Sequence, residues 1–407
     1  MTDTTLPRLV LRTPRRGAGI RARAARVILR GTVRTIPVRV VFPDGTHWGA
    51  GAADAPVMEI LDPDAFFRRL AKDTKIGLGE SYMAGEWRAG PGTNLADVLT
   101  PFAERIAHLV PQWMQRFRGV VDQRIPDSHR NTVTGSRSNI EAHYDLSNDL
   151  FTRFLDPSLS YSSAWFERPD DDLETAQVRK IDAILDDAGV TAGTRLLEIG
   201  SGWGTLAIRA AQRGATVTTL TLSQEQAALA RERFAEAGVA DRIDLQIRDY
   251  RHTEGEYDAI VSVEMIEAVG EEYWPSYFST IDRHLAPGGQ VAIQAIVMEH
   301  HRMLATRRSF GWIQKYIFPG GLIPSVTAID QALQAHTSLH LVHRRSLGPD
   351  YALTLRRWRE QFDANWQQIQ PFGFDETFRR MWEFYLAYCE AGFRAGYLDV
   401  EQLTISR

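Results

Sequence analysis

The residues best placed to do chemistry begin at a glycine-rich stretch, Leu196-Leu197-Glu198-Ile199-Gly200-Ser201-Gly202-Trp203-Gly204. A short apolar run enters a loop there, and a helical pattern follows over residues 206–213. Glycines at 200, 202 and 204 let the backbone approach a ligand and take φ > 0 where a turn demands it. The spacing is not G-x-G-x-x-G, and glycines alone are a weak signal because dinucleotide sites share them. Two later segments fall where the far end of a nucleotide-type ligand would lie. Thr221-Leu222-Ser223, with Gln226 one helical turn on, suits ribose contacts, although the usual ribose-binding acid is missing from that strand end. Asp249-Tyr250, at the end of a third strand, suits adenine contacts. Glu264 and Glu267 are three apart, so one helical turn would set both carboxylates on one face, as a reactive pair or as a solvated surface. The adjacent His300 and His301 point apart on any regular element, and no H-E-x-x-H or Cys–His spacing accompanies them, so no metal is expected.

The acid Glu198 at the strand end shifts the reading of the loop. In class I methyltransferases an acid there holds the amino group of S-adenosylmethionine, a cofactor with no pyrophosphate to cradle. The elements around the loop agree. Apolar runs at 195–199, 216–222, 243–247, 259–263 and 290–297 alternate with helical patterns, as in a mainly parallel sheet covered by helices. Segments 339–342 and 403–406 are expected to close that sheet as a late antiparallel pair. Residues 351–369 and 374–393 are expected to be helical and rich in aromatics. Upstream, 36–118 reads as a small α+β domain: a strand at 38–42, a turn at Pro43-Asp44-Gly45, a helix at 62–70, tight packing around a turn at 77–87, and a helix at 95–117. Residues 119–138 read as a polar linker, and 139–407 as the catalytic domain.

Composition narrows the class. The chain has 407 residues, 44% hydrophobic and 24% charged, with a net charge of −4. That excludes bulk disorder and leaves room for a large core. One cysteine, Cys389, excludes a disulfide-built fold and points to a reducing cytoplasm. No apolar run is long enough to span a bilayer, and no secretion signal is read. Ten arginines and one acid, Asp3, occupy residues 1–40, about +9, which leaves about −13 for the rest. A basic arm at 1–35 on an acidic body suits an anionic partner. Ile20, Ala24, Val27, Ile28 and Leu29 lie among the arginines at near-helical spacing, as in an amphipathic helix on lipid or in a solvated tail.

At these residues the sequence resembles the cyclopropane-fatty-acyl-phospholipid synthase family. The matching motifs are His143-Tyr144-Asp145-Leu146-Ser147-Asn148, Tyr161-Ser162-Ser163-Ala164-Trp165-Phe166, the loop from Leu197 to Gly204, Thr221-Leu222-Ser223, Ser262-Val263-Glu264-Met265-Ile266-Glu267-Ala268-Val269-Gly270, Lys315-Tyr316-Ile317-Phe318-Pro319-Gly320-Gly321 and Tyr351. The resemblance covers residues 139–407 and extends through 77–87. Ala292-Ile293-Gln294-Ala295-Ile296 and the segment from His300 to Arg307 look closest to the actinobacterial branch linked to tuberculostearic (10-methylstearic) acid.

The resemblance implies an α/β fold of the class I, Rossmann-like kind with a seven-stranded sheet and appended helices. It implies transfer of a methyl group from S-adenosylmethionine to the cis double bond of an acyl chain on a phospholipid. Proton loss from the resulting carbocation then gives an exocyclic methylene or a cyclopropane. The branch resemblance implies a 10-methylene product from an oleoyl chain, saturated by a separate reductase, with cyclopropanation as the alternative. Tyr161 and Ser162 match residues that reach the methionine end of the cofactor. In the family the final base is a bound bicarbonate. Glu267, Tyr351 and Ile296 match its holders, whereas Gln294 stands where the family has histidine and Ser163 where it has cysteine. Glutamine still donates an N–H but does not titrate near neutrality, and serine keeps its backbone N–H. Those two changes keep a non-catalytic lipid-binding protein open as a second class. A nucleic-acid methyltransferase is weaker, because no N-P-P-Y-like motif is present, and no nucleic-acid partner is expected. Phe310, Trp312, Ile313, Tyr316, Ile317 and Phe318 would line an acyl tunnel or simply form core. A homo-oligomer and a peripheral location on the inner face of the plasma membrane complete the expectations.

Overall fold

The structure, a computed structural model, describes residues 11, 19–109 and 148–407. The 119–138 linker, most of the arm before residue 19, the end of the 95–117 helix and the motif residues from His143 to Ser147 lie outside the described residues. The chain divides into two compact units that are not contiguous in sequence. One gathers the described part of Met1–Phe117 with Phe310–Ile317 and Leu355–Tyr397, and the other holds the remainder.

The first unit carries a four-stranded sheet in the order β2-β1-β3-β4, formed by β1 (Arg39–Val41), β2 (His47–Trp48), β3 (Val57–Ile60) and β4 (Trp87–Ala89). Asp62 caps the helix Pro63–Lys72 by accepting from the Ala65 N–H, and Asp73 caps the next helix, Thr74–Met83, in the same way. The segment expected as a turn, 77–87, is therefore helical as far as Met83. Its glycines serve proximity, since a Cβ at Gly77 would strike the Arg69 carbonyl and one at Gly79 the Trp312 indole. The turn itself is confined to Ala84 and Gly85, the latter at φ 70°. Glu80 accepts from Lys315 Nζ at 2.5 Å and from the Tyr316 hydroxyl at 2.8 Å, and Trp312 packs on Phe384 with ring centroids 4.8 Å apart.

The second unit is built on a seven-stranded sheet in the order β10-β11-β9-β8-β5-β6-β7. Its strands are β5 (Arg195–Ile199), β6 (Thr216–Thr221), β7 (Ile243–Ile247), β8 (Tyr257–Val263), β9 (Leu285–Val297), β10 (His340–Ser346) and β11 (Asp399–Ser406). β11 pairs antiparallel with both β9 and β10, and the other pairings are parallel. The late pair expected at 339–342 and 403–406 thus closes the sheet, with β11 wedged between its neighbours. Side chains of successive strand residues point to opposite faces. Leu196, Val217, Ala259, Val261 and Ala292 enter one core, under the helices Leu173–Asp187, Thr205–Gln212 and Gln224–Glu236. Leu197, Leu220, Ile260, Ile293 and Leu403 enter a second core with Tyr277, Phe278, Ile281, Ile329 and Leu333. The winding direction reverses between β5 and β8. In open α/β sheets that reversal opens a crevice at the carboxyl ends of the strands.

Candidate active site

The crevice holds a cavity of about 200 Å³. β5 delivers Glu198 to its floor, and the glycine loop turns beside it. Gly200 (φ 100°) folds back so that its N–H and that of Ser201 donate to the Leu220 carbonyl, at 3.0 and 2.8 Å. Gly204 (φ 89°) starts the next helix where a Cβ would meet the Phe234 ring. Gly200, Ser201 and Gly202 all line the cavity. So do Thr221, Leu222 and Gln226 from the end of β6, and Asp249 and Tyr250 from the end of β7. Tyr161 and Ser162 line it from the segment preceding the helix Leu173–Asp187. The cofactor-binding candidates, scattered over ninety residues of sequence, therefore share one cavity.

Their polar groups are already organised. Thr221 Oγ1 donates to Gln226 Oε1 at 3.0 Å and accepts from the Ser223 N–H at 3.1 Å. Burial works against the Asp249 carboxylate, but hydrogen bonds from the Arg251 guanidinium and backbone outweigh it and hold the carboxyl below its ordinary range. Glu198 is the reverse case. Burial pushes it up to about 8, against a 2.5 Å hydrogen bond from Thr219 and the nearby Lys180. A buried acid in that condition suits a cationic ligand group. Lys180, absent from the sequence candidates, is buried in the wall and pushed down to about 8 by that burial; it donates to Ser162 Oγ at 2.6 Å. Its signal was its rarity, one of four lysines among 47 basic residues.

Beyond the nucleotide end, the wall is made by Val263, Glu264 and Met265. Among the described residues only Leu159 (φ 52°) and Glu264 (φ 49°) are non-glycine with left-handed backbones, and both line this cavity. Such strain concentrates at functional sites. Four of the five catalytic candidates, Ser163, Gln294, Tyr351 and Ile296, donate to two carboxylates, the fifth candidate Glu267 and its neighbour Glu264. The Ser163 N–H and Gln294 Nε2 each donate to Glu264 Oε1 at 2.8 Å, and the Tyr351 hydroxyl donates to Glu264 Oε2 at 2.9 Å. The Ile296 N–H donates to Glu267 Oε1. Glu267 Oε2 is buried with no hydrogen-bond partner among the described residues. Burial, reinforced by the neighbouring Glu264, pushes Glu267 up to about 8. Burial also raises Glu264, opposed by its three donors and by Lys180. Gln294 is itself oriented, because its Oε1 accepts from Gln402 Nε2 at 3.1 Å. The pair does not share a solvated helix face: Glu267 sits in a single 3-10 turn, Ile266–Ala268, and both side chains point inward.

Comparison with known proteins identifies the family. Residues 131–403 match the family described as mycolic acid cyclopropane synthetase. The tuberculostearic acid methyltransferase UfaA1 of Mycobacterium tuberculosis is 50% identical over 397 residues, 96% of this chain and 92% of that protein. The cyclopropane-fatty-acyl-phospholipid synthase of Escherichia coli is 34% identical over 88% of this chain and 89% of its own length. The crystal structure of mycolic acid cyclopropane synthase CmaA1 complexed with SAH and CTAB superposes with a TM-score of 0.61 at 33% identity, covering 67% of this chain and 98% of that one. The chain belongs to the cyclopropane synthase family and is an S-adenosylmethionine-dependent methyltransferase of the class I fold.

Proposed function

We propose that this enzyme methylates the cis double bond of an unsaturated acyl chain on a membrane phospholipid, converting an oleoyl chain to a 10-methylene product. The observation that carries the reading is the junction, along one cavity, of a nucleotide-type end with Glu264, behind which lies a second carboxylate, Glu267. The 50% identity to a tuberculostearic acid methyltransferase over nearly the whole chain supports the branch. Glu198 would hold the cofactor's amino group, with Tyr161, Ser162 and the loop residues along its methionine moiety. Thr221, Leu222 and Gln226 would meet the ribose, and Asp249 and Tyr250 the adenine. Bound S-adenosylmethionine supplies an electrophilic methyl group. An alkene is a poor nucleophile, so the chain's task is to exclude water and hold the double bond in line. The acidic wall then faces the positive charge that develops on the acyl chain.

Delivery from the membrane rests on the helix Gly19–Val33, whose Ile20, Val27 and Ile28 are 85%, 71% and 67% exposed among arginines. No helix among the described residues is long and apolar enough to cross a bilayer. A peripheral enzyme on the cytoplasmic leaflet fits both facts. A reductase would complete the methyl branch. The test is product analysis: the protein, S-adenosylmethionine and dioleoyl phospholipid vesicles, with released fatty acids read by mass spectrometry and proton NMR. Vinylidene protons are expected. Upfield cyclopropane protons would establish the second reading, supported by the Escherichia coli relative. No alkylated product would overturn both.

A further inference from the structure

The donors that the family resemblance assigns to a free anion already hold a carboxylate of the chain itself. The Ser163 N–H, Gln294 Nε2 and the Tyr351 hydroxyl end on Glu264, and the hydrogen bond from Gln402 fixes the amide of Gln294 with its N–H toward that carboxylate. Bicarbonate does not fit here. Its donors are engaged, and a second anion would sit against a buried negative charge. Glu264 also lines the cavity that would hold the cofactor. Its backbone is held in the left-handed region at φ 49°, which glycine tolerates and a β-substituted residue adopts at a cost. A strained glutamate held by three donors at a cavity wall is a placed group, not a filler.

We propose that Glu264 is the resident base of the reaction, a tethered carboxylate in place of a bound bicarbonate. The inference rests on the proposed alkylation. When the π pair of the double bond bonds to the transferred methyl carbon, the neighbouring acyl carbon becomes cationic. A hydride shift from the methylated carbon to that neighbour moves the cation to the methylated carbon. Glu264 then takes a proton from the new methyl group, and the C–H electron pair becomes the π bond of an exocyclic methylene. Without the shift, the same proton loss closes a C–C bond and gives a cyclopropane. In either case the proton ends on a Glu264 oxygen and leaves to water before the next turnover. Burial and then this neighbour push Glu267 up to about 8, which favours its protonated form, while three hydrogen-bond donors and the nearby Lys180 favour the charged form of Glu264 against its burial.

The test compares wild type, Glu264→Gly and Glu264→Gln in CO2-free buffer and after added bicarbonate. Glycine suits the left-handed backbone and opens the donor cluster, whereas glutamine keeps the volume and removes the base. Three readouts apply: lipid product, S-adenosylhomocysteine binding by calorimetry, and binding of ¹³C-bicarbonate by NMR line broadening. Wild type is expected to turn over without bicarbonate and not to bind the label. Glu264→Gly should lose about 100-fold in rate, bind the label and recover activity with bicarbonate. Glu264→Gln should lose activity without rescue. Both variants should keep S-adenosylhomocysteine affinity, which reports an intact fold. Label binding by wild type, a bicarbonate requirement in wild type, or full activity of Glu264→Gln would each overturn the proposal. Label binding is read without turnover, so it decides the tethered carboxylate separately. Absence of product from wild type would instead overturn the substrate reading.

Discussion

At the scale of residues, the site stores its chemistry in groups held away from their ordinary protonation. Burial first, and then Glu264, push the Glu267 carboxyl from its ordinary value of 4.5 up to about 8. Between those values the folded chain holds a proton that the unfolded chain has released, so stability falls as pH rises from about 4.5 through about 8. Glu267→Gln should therefore flatten part of the decline in melting temperature over that range; an unchanged slope would place the charge elsewhere. Gln294 has a different role, since it links Glu264 to Gln402. Gln294→Leu strips one donor from a buried carboxylate and leaves the Gln402 amide without that acceptor. It should lower stability by about 3 kcal/mol in chemical denaturation, whereas a loss below about 0.5 kcal/mol would mean the link is slack. Glu198, which burial also pushes up to about 8, would tie cofactor affinity to pH. If it meets the cofactor's ammonium group, binding at pH 7 should release a proton, measurable by calorimetry in buffers of different ionisation enthalpy. Proton-neutral binding would remove Glu198 from that contact.

At the scale of elements, the parallel strands and the glycine loop were legible because each rests on local signals, apolar runs and glycines at sharp turns. Each strand end brought its polar residues to the same edge of the sheet, which is why Thr221, Gln226, Asp249 and Tyr250 could be read before any geometry. What was not legible depends on contacts distant in sequence. Gly77 and Gly79 look like turn residues, yet they sit in a helix because the Arg69 carbonyl and the Trp312 ring leave no room for a Cβ. The helix expected over 351–369 breaks after Ala364 with no proline or glycine to announce it. Glu264 was visible as an acid three residues from another acid, but its three donors come from segments 101, 30 and 87 residues away. The helix Gly19–Val33 shows the same limit from the other side. Its apolar residues were read as a lipid-facing stripe or a solvated tail; Ile20, Ala24, Val27 and Ile28 stand exposed and Leu29 half-buried along a helix that ends in the fully buried Val33.

At the scale of the whole molecule, the proposed membrane substrate makes charge separation a problem: an acidic body would have to reach acyl chains inside an anionic surface. The first 40 residues carry about +9 against about −13 for the rest, so attraction and repulsion would both act at an anionic bilayer. The arginines would supply long-range attraction, worth about 1 kcal/mol each near an anionic surface. The exposed Ile20, Val27 and Ile28 would supply short-range burial, which salt does not screen. The two contributions can be separated. Replacing Ile20, Val27 and Ile28 by serine removes no buried side chain, so the fold and cofactor affinity should persist. Binding to anionic vesicles should weaken at least tenfold and become more sensitive to salt, because only the screened attraction remains. Replacing Arg21, Arg23 and Arg30 by glutamine should do the opposite, weakening binding at low salt and flattening its salt dependence. Vesicle sedimentation across a salt series reads both. If neither set changes the binding, delivery of lipid belongs to another surface, and the helix is not what brings the carboxylates to the double bond.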